Sequence, residues 1–117
     1  MGLIETTAMK EPQNDALAAS LAKCIVACEN CANACLEESN VAEMKYCIRL
    51  DRDCVDICAL TLRLLVRDSR YTDRAIDLCM DACHACEQEC SLHKHDHCVL
   101  CAAACKECHE QLQRYRA

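Results

Sequence analysis

From Leu17 to Leu112 the inward-facing positions return every three or four residues, and most of them are cysteine. Leu17, Leu21, Cys24, Cys28, Cys31 and Cys35 follow one another in such steps, which align side chains on one face of an α-helix because successive residues turn by about 100°. The rhythm predicts a first helix over 14–38. The same 4-3-4 spacing recurs at Cys79, Cys83, Cys86 and Cys90, its complement 3-4-3 at Cys98, Cys101, Cys105 and Cys108, and a shorter version at Cys47, Cys54 and Cys58.

Asn40, three residues before Glu43, has the form of a helix cap, so a second helix is expected over 40–67. Its stripe runs through Met44, Cys47, either Leu50 or Asp51, Cys54, Cys58, Thr61, Leu62 and Leu65. Residues 68–72 form a polar break. A third helix carries Ile76 and four cysteines to about residue 92. After the connection 92–97, with Asp96 as cap, a fourth helix carries its cysteines and Leu112.

Short connections make neighbouring helices antiparallel. The fold class read from this pattern is all-α: an up-down-up-down antiparallel four-helix bundle with a cysteine-lined core over 14–117, preceded by a flexible tail over 1–13. The antiparallel order gathers Leu17, Leu21, Leu62, Leu65, Ile76 and Leu112 at one end as an apolar plug. The stripes finish at the other end on Met44, His93 and His97.

Composition sharpens this reading. The chain has 117 residues, one Gly and one Pro, and both precede the first cysteine, so the glycine turns of a β-protein are missing. Its aromatics are Tyr46, Tyr71 and Tyr115, which leaves Cys, Ala, Leu, Ile and Val to fill the core. A net charge of -6 without a dense basic patch argues against nucleic acid as a partner. No apolar run is long enough to span a bilayer. The start of the chain lacks a secretory or twin-arginine pattern, so a cytoplasmic location is expected; the residues after Met1 also fit the loose myristoylation pattern, which often matches by chance.

Fifteen cysteines are an odd number, and all of them lie on helical stripes rather than in the loop-rich framework of a disulfide scaffold. As thiols they pack as small hydrophobes. As thiolates they would bury many negative charges unless cations neutralise them. A soft monovalent cation bridging neighbouring thiolates brings the core near neutrality at about one ion per sulfur, and thiolate and thioether ligands select Cu(I). Sulfurs at i and i+4 converge on one ion, and facing helices supply the rest. The expected contents are multiple Cu(I) ions.

Zinc is the rival metal, though a four-thiolate zinc site keeps net negative charge. An iron–sulfur reading lacks the Cys-Pro ending of the ferredoxin run, and a thioredoxin-like reading lacks a βαβ setting.

The C-x3-C-x2-C-x3-C repeats at 24–35 and 79–90, Cys54-x3-Cys58, and His97 with Cys98, Cys101, Cys105 and Cys108 resemble the bacterial copper storage proteins over 17–116. The resemblance implies storage of many Cu(I) ions by cysteine thiolates within a four-helix bundle, a homotetramer of such bundles, and, with no leader, the cytosolic branch.

The candidate metal residues are the fifteen cysteines together with Met44, His93, His97 and His109. Met44 is core filler or a thioether ligand. His93 and His97 are solvated or line the entrance. His109 caps the last ions or packs beside the plug, while His84 and His95 point off the stripe as surface groups. Asp51 is a hard donor poorly suited to Cu(I) and is expected to turn outward towards an arginine, leaving Leu50 inside. No catalytic residue is expected. The function read is storage or buffering of copper, with exchange to a copper chaperone or chelator, and a thiol redox protein or a zinc- or cadmium-sequestering protein as the alternatives.

Overall fold

The computed structural model describes residues 12–117; the predicted tail, apart from Pro12 and Gln13, and the reading of the chain's start lie outside the described residues. Among the described residues there are four α-helices and no strand: α1 (Pro12–Cys35), α2 (Lys45–Val66), α3 (Thr72–Cys90) and α4 (Asp96–Arg116), with a 3₁₀ turn (Val41–Met44) leading into α2. Each helix packs against its two neighbours in a closed ring, α1 on α2 and α4, and α3 on α2 and α4. The four-helix bundle read from the stripes is the observed fold.

Boundaries differ by a few residues. α1 begins at Pro12, whose fixed φ and missing N–H suit a first helical position. The α-helix expected from Asn40 begins at Lys45, because residues 41–44 wind more tightly and the Asn40 side chain makes no cap bond to the backbone. Asn40 donates instead to the Glu43 carboxylate at 3.3 Å. In α4 the capping position falls on His95, and Asp96 is the first helical residue.

The α2–α3 connection shows how a chain without a turn glycine ends a helix. The Ser69 N–H reaches the Leu64 carbonyl at 3.0 Å and the Asp68 N–H reaches Leu65 at 3.2 Å, the hydrogen bonds of a Schellman motif. Such a motif needs a left-handed residue, and Asp68 supplies it with φ 53°.

One end of the bundle is closed by hydrocarbon. Leu17, Leu21, Ile76 and Leu112 are wholly buried and Leu65 nearly so, while Leu62 and Tyr115 pack against them half-buried. Burying a Leu or Ile side chain contributes about 1.5–3 kcal/mol. Two threonines complete this floor with their hydroxyls satisfied: Thr61 donates to Ile57 O at 2.7 Å, and Thr72 to Ser69 O at 2.7 Å. Outside the floor, Arg116 ties α4 to α3 through Asp77 at 2.9 Å and Asp73 at 3.4 Å, exposed pairs worth at most about 1 kcal/mol each.

Candidate metal centre

Above the floor the core turns to sulfur. All fifteen cysteines are free and fully buried, because each lies on the inward stripe of its helix and the four stripes face a common axis. Most neighbouring sulfurs are in contact, while Cys108 lies within 4.8 Å of Cys24, Cys58 and Cys83, and Cys31 within 4.8 Å of Cys90 and Cys101. Next to the floor, Cys58 lies 3.6 Å from Cys79 and 3.8 Å from Cys83 and Cys54. Cys24 lies 3.8 Å from Cys105 and 3.9 Å from Cys54. Higher up, Cys28 lies 3.6 Å from Cys105 and 3.5 Å from Cys101, and across the bundle 3.9 Å from Cys86. Cys90 meets Cys47 at 3.6 Å, and Cys31 meets Cys98 at 3.8 Å.

Several quartets bring one ligand atom from each residue within 4.8 Å of all the others. They include Cys24/Cys58/Cys83/Cys108, Cys24/Cys28/Cys54/Cys105 and Cys28/Cys86/Cys101/Cys105. Cys24, Cys28 and Cys105 belong to two of these three quartets each, so the sites share walls. An ion bound in one would lie beside an ion in the next.

Asp51 is where the sequence reading fails. It was expected to turn outward with Leu50 inside, but Asp51 is wholly buried and Leu50 is half-buried. Residues 47, 51, 54 and 58 keep the 4-3-4 steps of the other stripes, so turning Asp51 out would pull Cys47 and Cys54 off the axis. Its Oδ1 lies 3.1 Å from the Cys86 sulfur, 3.3 Å from Cys101 and 3.5 Å from Cys90, and Oδ2 lies 3.8 Å from Cys47. With these thiol donors the carboxyl is not orphaned, and no buried side-chain oxygen or nitrogen among the described residues lacks a partner. Asp51 also completes a quartet with Cys31, Cys90 and Cys101. Burial pushes its pKa up to about 8, with the Cys101 sulfur adding to the effect, since a charge in this setting is poorly solvated.

The thiols respond to the same environment. Burial raises Cys98 to about 11 and lifts Cys35 as well. Within the chain, the hydrogen bond with Cys105 draws Cys101 down, while the Cys101 side chain pushes Cys105 up. One thiolate is favoured by its donors, and each donor then holds its proton more firmly.

The open end is built from residues of connections and helix ends. His97 Nδ1 lies 3.4 Å from Cys31, 3.5 Å from Cys98 and 3.9 Å from Cys35, and these four groups form a further quartet. Its other nitrogen, Nε2, lies 2.8 Å from Glu38. His95, expected to be a detached surface group, instead stacks on His97 with ring centroids 5.3 Å apart and planes 8° apart. It contacts Glu38 at 3.4 Å and Asn40 at 3.3 Å.

His93 sits at the same end, with Nε2 2.8 Å from Glu89. Met44 is fully buried there, its sulfur accepting from Asn40 at 3.9 Å. Thus His97, Met44 and His93 gather at one end, as the stripes predict.

His109 is half-buried, its ring centroid 5.6 Å from that of the exposed His84. As the residue after Cys108, it is turned by about 100° away from the stripe. The sequence reading missed Glu38, Asn40 and Glu89 at the mouth. They lie at or beyond helix ends, where periodicity carries no signal; for Glu89 the spacing to His93 of four residues was the available clue.

Comparison with known proteins gives concordant findings. A protein-family model described as copper storage protein matches residues 10–117. The cysteine-rich protein YhjQ of Bacillus subtilis is 43% identical over 107 residues, covering 92% of this chain and 99% of that protein. The structure is similar to the Cu(I)-bound copper storage protein BsCsp3 from Bacillus subtilis, with a TM-score of 0.86 and 43% identity over 90% of this chain and 99% of that one. It is similar also to a cytosolic copper storage protein from Streptomyces lividans carrying five coppers, with a TM-score of 0.82 and 37% identity over 87% of this chain and 92% of that one.

Proposed function

The chain belongs to the copper storage protein family, and on that footing we propose that it stores several Cu(I) ions on the cysteine thiolates of its core, in the cytosol. The observation that carries this is the run of buried sulfurs between a hydrocarbon floor and a histidine-lined mouth, most neighbours 3.5–4.0 Å apart and Cys31 at the mouth within 4.8 Å of Cys90 and Cys101. Each Cu(I) that displaces a thiol proton leaves the net charge of the core unchanged, so filling can proceed without accumulating buried charge. Zn(II) in a four-thiolate site leaves two negative charges behind. That is the physical reason for preferring copper.

The fifteen cysteines are the ligands in this reading. His97 contributes at the mouth with Cys31, Cys35 and Cys98, and Met44 and His93 line the same end. His109, the residue after Cys108, stays a candidate at the opposite end. The chain has no catalytic role here, and copper passes to or from a chaperone or small chelator at the mouth. The homotetramer implied by the family resemblance is kept as part of the proposal; exposed Val26 and Leu36, beside the half-buried Ile25 on α1, offer apolar surface for self-association, which light scattering on the purified protein tests.

The main test is an anaerobic titration of the fully reduced protein with Cu(I) against a chromophoric chelator, with circular dichroism in parallel. The expected result is uptake approaching one Cu(I) per cysteine before the chelator colours, with little change in helicity, because the thiol core is folded before metal arrives. Tight binding of only one or a few ions, or helices that form only with metal, would overturn storage and favour a redox or zinc role.

A further inference from the structure

A single oxygen of Glu38 contacts two imidazoles. Oε2 lies 2.8 Å from His97 Nε2 and 3.4 Å from His95 Nδ1, and the two rings stack almost parallel. Glu38 itself follows α1 in a turn fixed by its N–H to Cys35 O at 3.3 Å. The far side of His95 rests on Asn40 Oδ1, and the orientation of that amide is set because its Nδ2 faces the Glu43 carboxylate and the Met44 sulfur. A continuous set of contacts thus runs from the 3₁₀ turn to the sulfurs under His97. Among the described residues His95 has no sulfur partner, and it serves as a plate against the ring that has three.

This arrangement decides which nitrogen of His97 is available. A carboxylate only accepts hydrogen bonds, so the ring nitrogen 2.8 Å from it carries the proton. In the neutral ring the lone pair then falls on Nδ1, the nitrogen facing Cys31, Cys35 and Cys98. The opposite tautomer would set two lone pairs against each other at Nε2 and direct an N–H at the incoming cation. Carboxylate partners commonly fix metal-binding histidines in this way.

We infer that Glu38 is a positioning residue for copper loading, holding His97 in the Nε2–H tautomer, with His95 stacked behind it, so that Nδ1 is the first ligand a Cu(I) ion meets above the sulfur chain. The inference rests on the storage reading for its consequence but not for its geometry.

The experiment uses the full, reduced, metal-free chain and the variants Glu38→Ala, Glu38→Gln and His97→Ala. Imidazole nitrogen NMR reads the tautomer, and stopped-flow transfer from a Cu(I) chelator reads uptake of the first equivalents. Wild type should show His97 as the Nε2–H tautomer. Glu38→Ala should give a tautomer mixture and slow first uptake about 10-fold, with final capacity unchanged. Glu38→Gln, which keeps an acceptor but loses the charge, should restore most of the rate and the tautomer. In the His97→Ala background, Glu38→Ala should add no further slowing.

An unchanged tautomer in Glu38→Ala overturns the inference. So does an equal slowing by Gln and Ala, which would mean that Glu38 attracts the cation by charge alone, or a full additional slowing in the His97→Ala background. A wild type that takes up only a few ions defeats storage, while the tautomer measurement still judges Glu38.

Discussion

The two ends of the bundle are made of different parts of the chain. The floor consists of helix residues whose side chains are hydrocarbon, with Leu17, Leu21, Ile76 and Leu112 shut away from solvent, and it derives its stability from area and packing. At the mouth, residues from connections and helix ends, Glu38, Asn40, His93, His95 and His97, are joined by polar contacts and partly open to water. A bundle can therefore be strong at one end and responsive at the other, with the sulfur chain between them belonging to neither. Changes at the floor should register in stability, and changes at the mouth in kinetics.

The largest effect is expected between the two ends, at Asp51. An aspartate in the unfolded chain titrates near about 3.9, while the buried one titrates at about 8. Between these values the folded metal-free protein holds a proton that the unfolded chain has released. Stability should therefore be fullest at the acid side of the window and fall as pH rises through it, by up to about 1.4 kcal/mol per pH unit from this group, levelling off above it. Urea midpoints across the window test this, and Asp51→Asn, which cannot ionise, should flatten the profile. An unchanged slope in that variant would assign the pH dependence to other groups.

At the floor, Leu112→Ala should cost about 3 kcal/mol in urea unfolding while leaving the rate of first copper uptake at its wild-type value. A variant that also loaded from this end would abolish the distinction between the ends. A smaller gain is available beside the floor: Asp68→Gly places at φ 53° a residue with no side-chain penalty there and should stabilise by about 0.5 kcal/mol, read as a raised Tm. The smallest stability change belongs to the mouth. His97→Ala should stay within about 0.5 kcal/mol of wild type yet slow copper uptake several-fold, so a large loss of stability there would show that the mouth also holds the fold together.

The stripes at 24–35, 47–58, 79–90 and 98–108 were legible because one residue type marked most of one helical face, and they yielded the helices, their antiparallel order and the direction in which every cysteine points. The same arithmetic allowed either Leu50 or Asp51 on the axis, but the poor match of a hard oxygen donor to Cu(I) argued for turning Asp51 out. That argument was overridden because four thiols lie within hydrogen-bonding reach of its carboxylate and because the rigid helix cannot rotate one stripe residue alone. Of the Glu38–His95–His97 assembly, only His97 had a periodic signal, four residues before Cys101. The assembly depends on how two connections, far apart in sequence, meet at one end of the bundle, and only tertiary structure brings them together.

A tube closed at its base has a consequence for the order of traffic. Where ions cannot pass one another between four helices, the first copper to reach the base leaves last, so the protein works as a last-in, first-out stack. A cell that refilled it with a second isotope would draw the newer copper first and keep its oldest copper at the bottom.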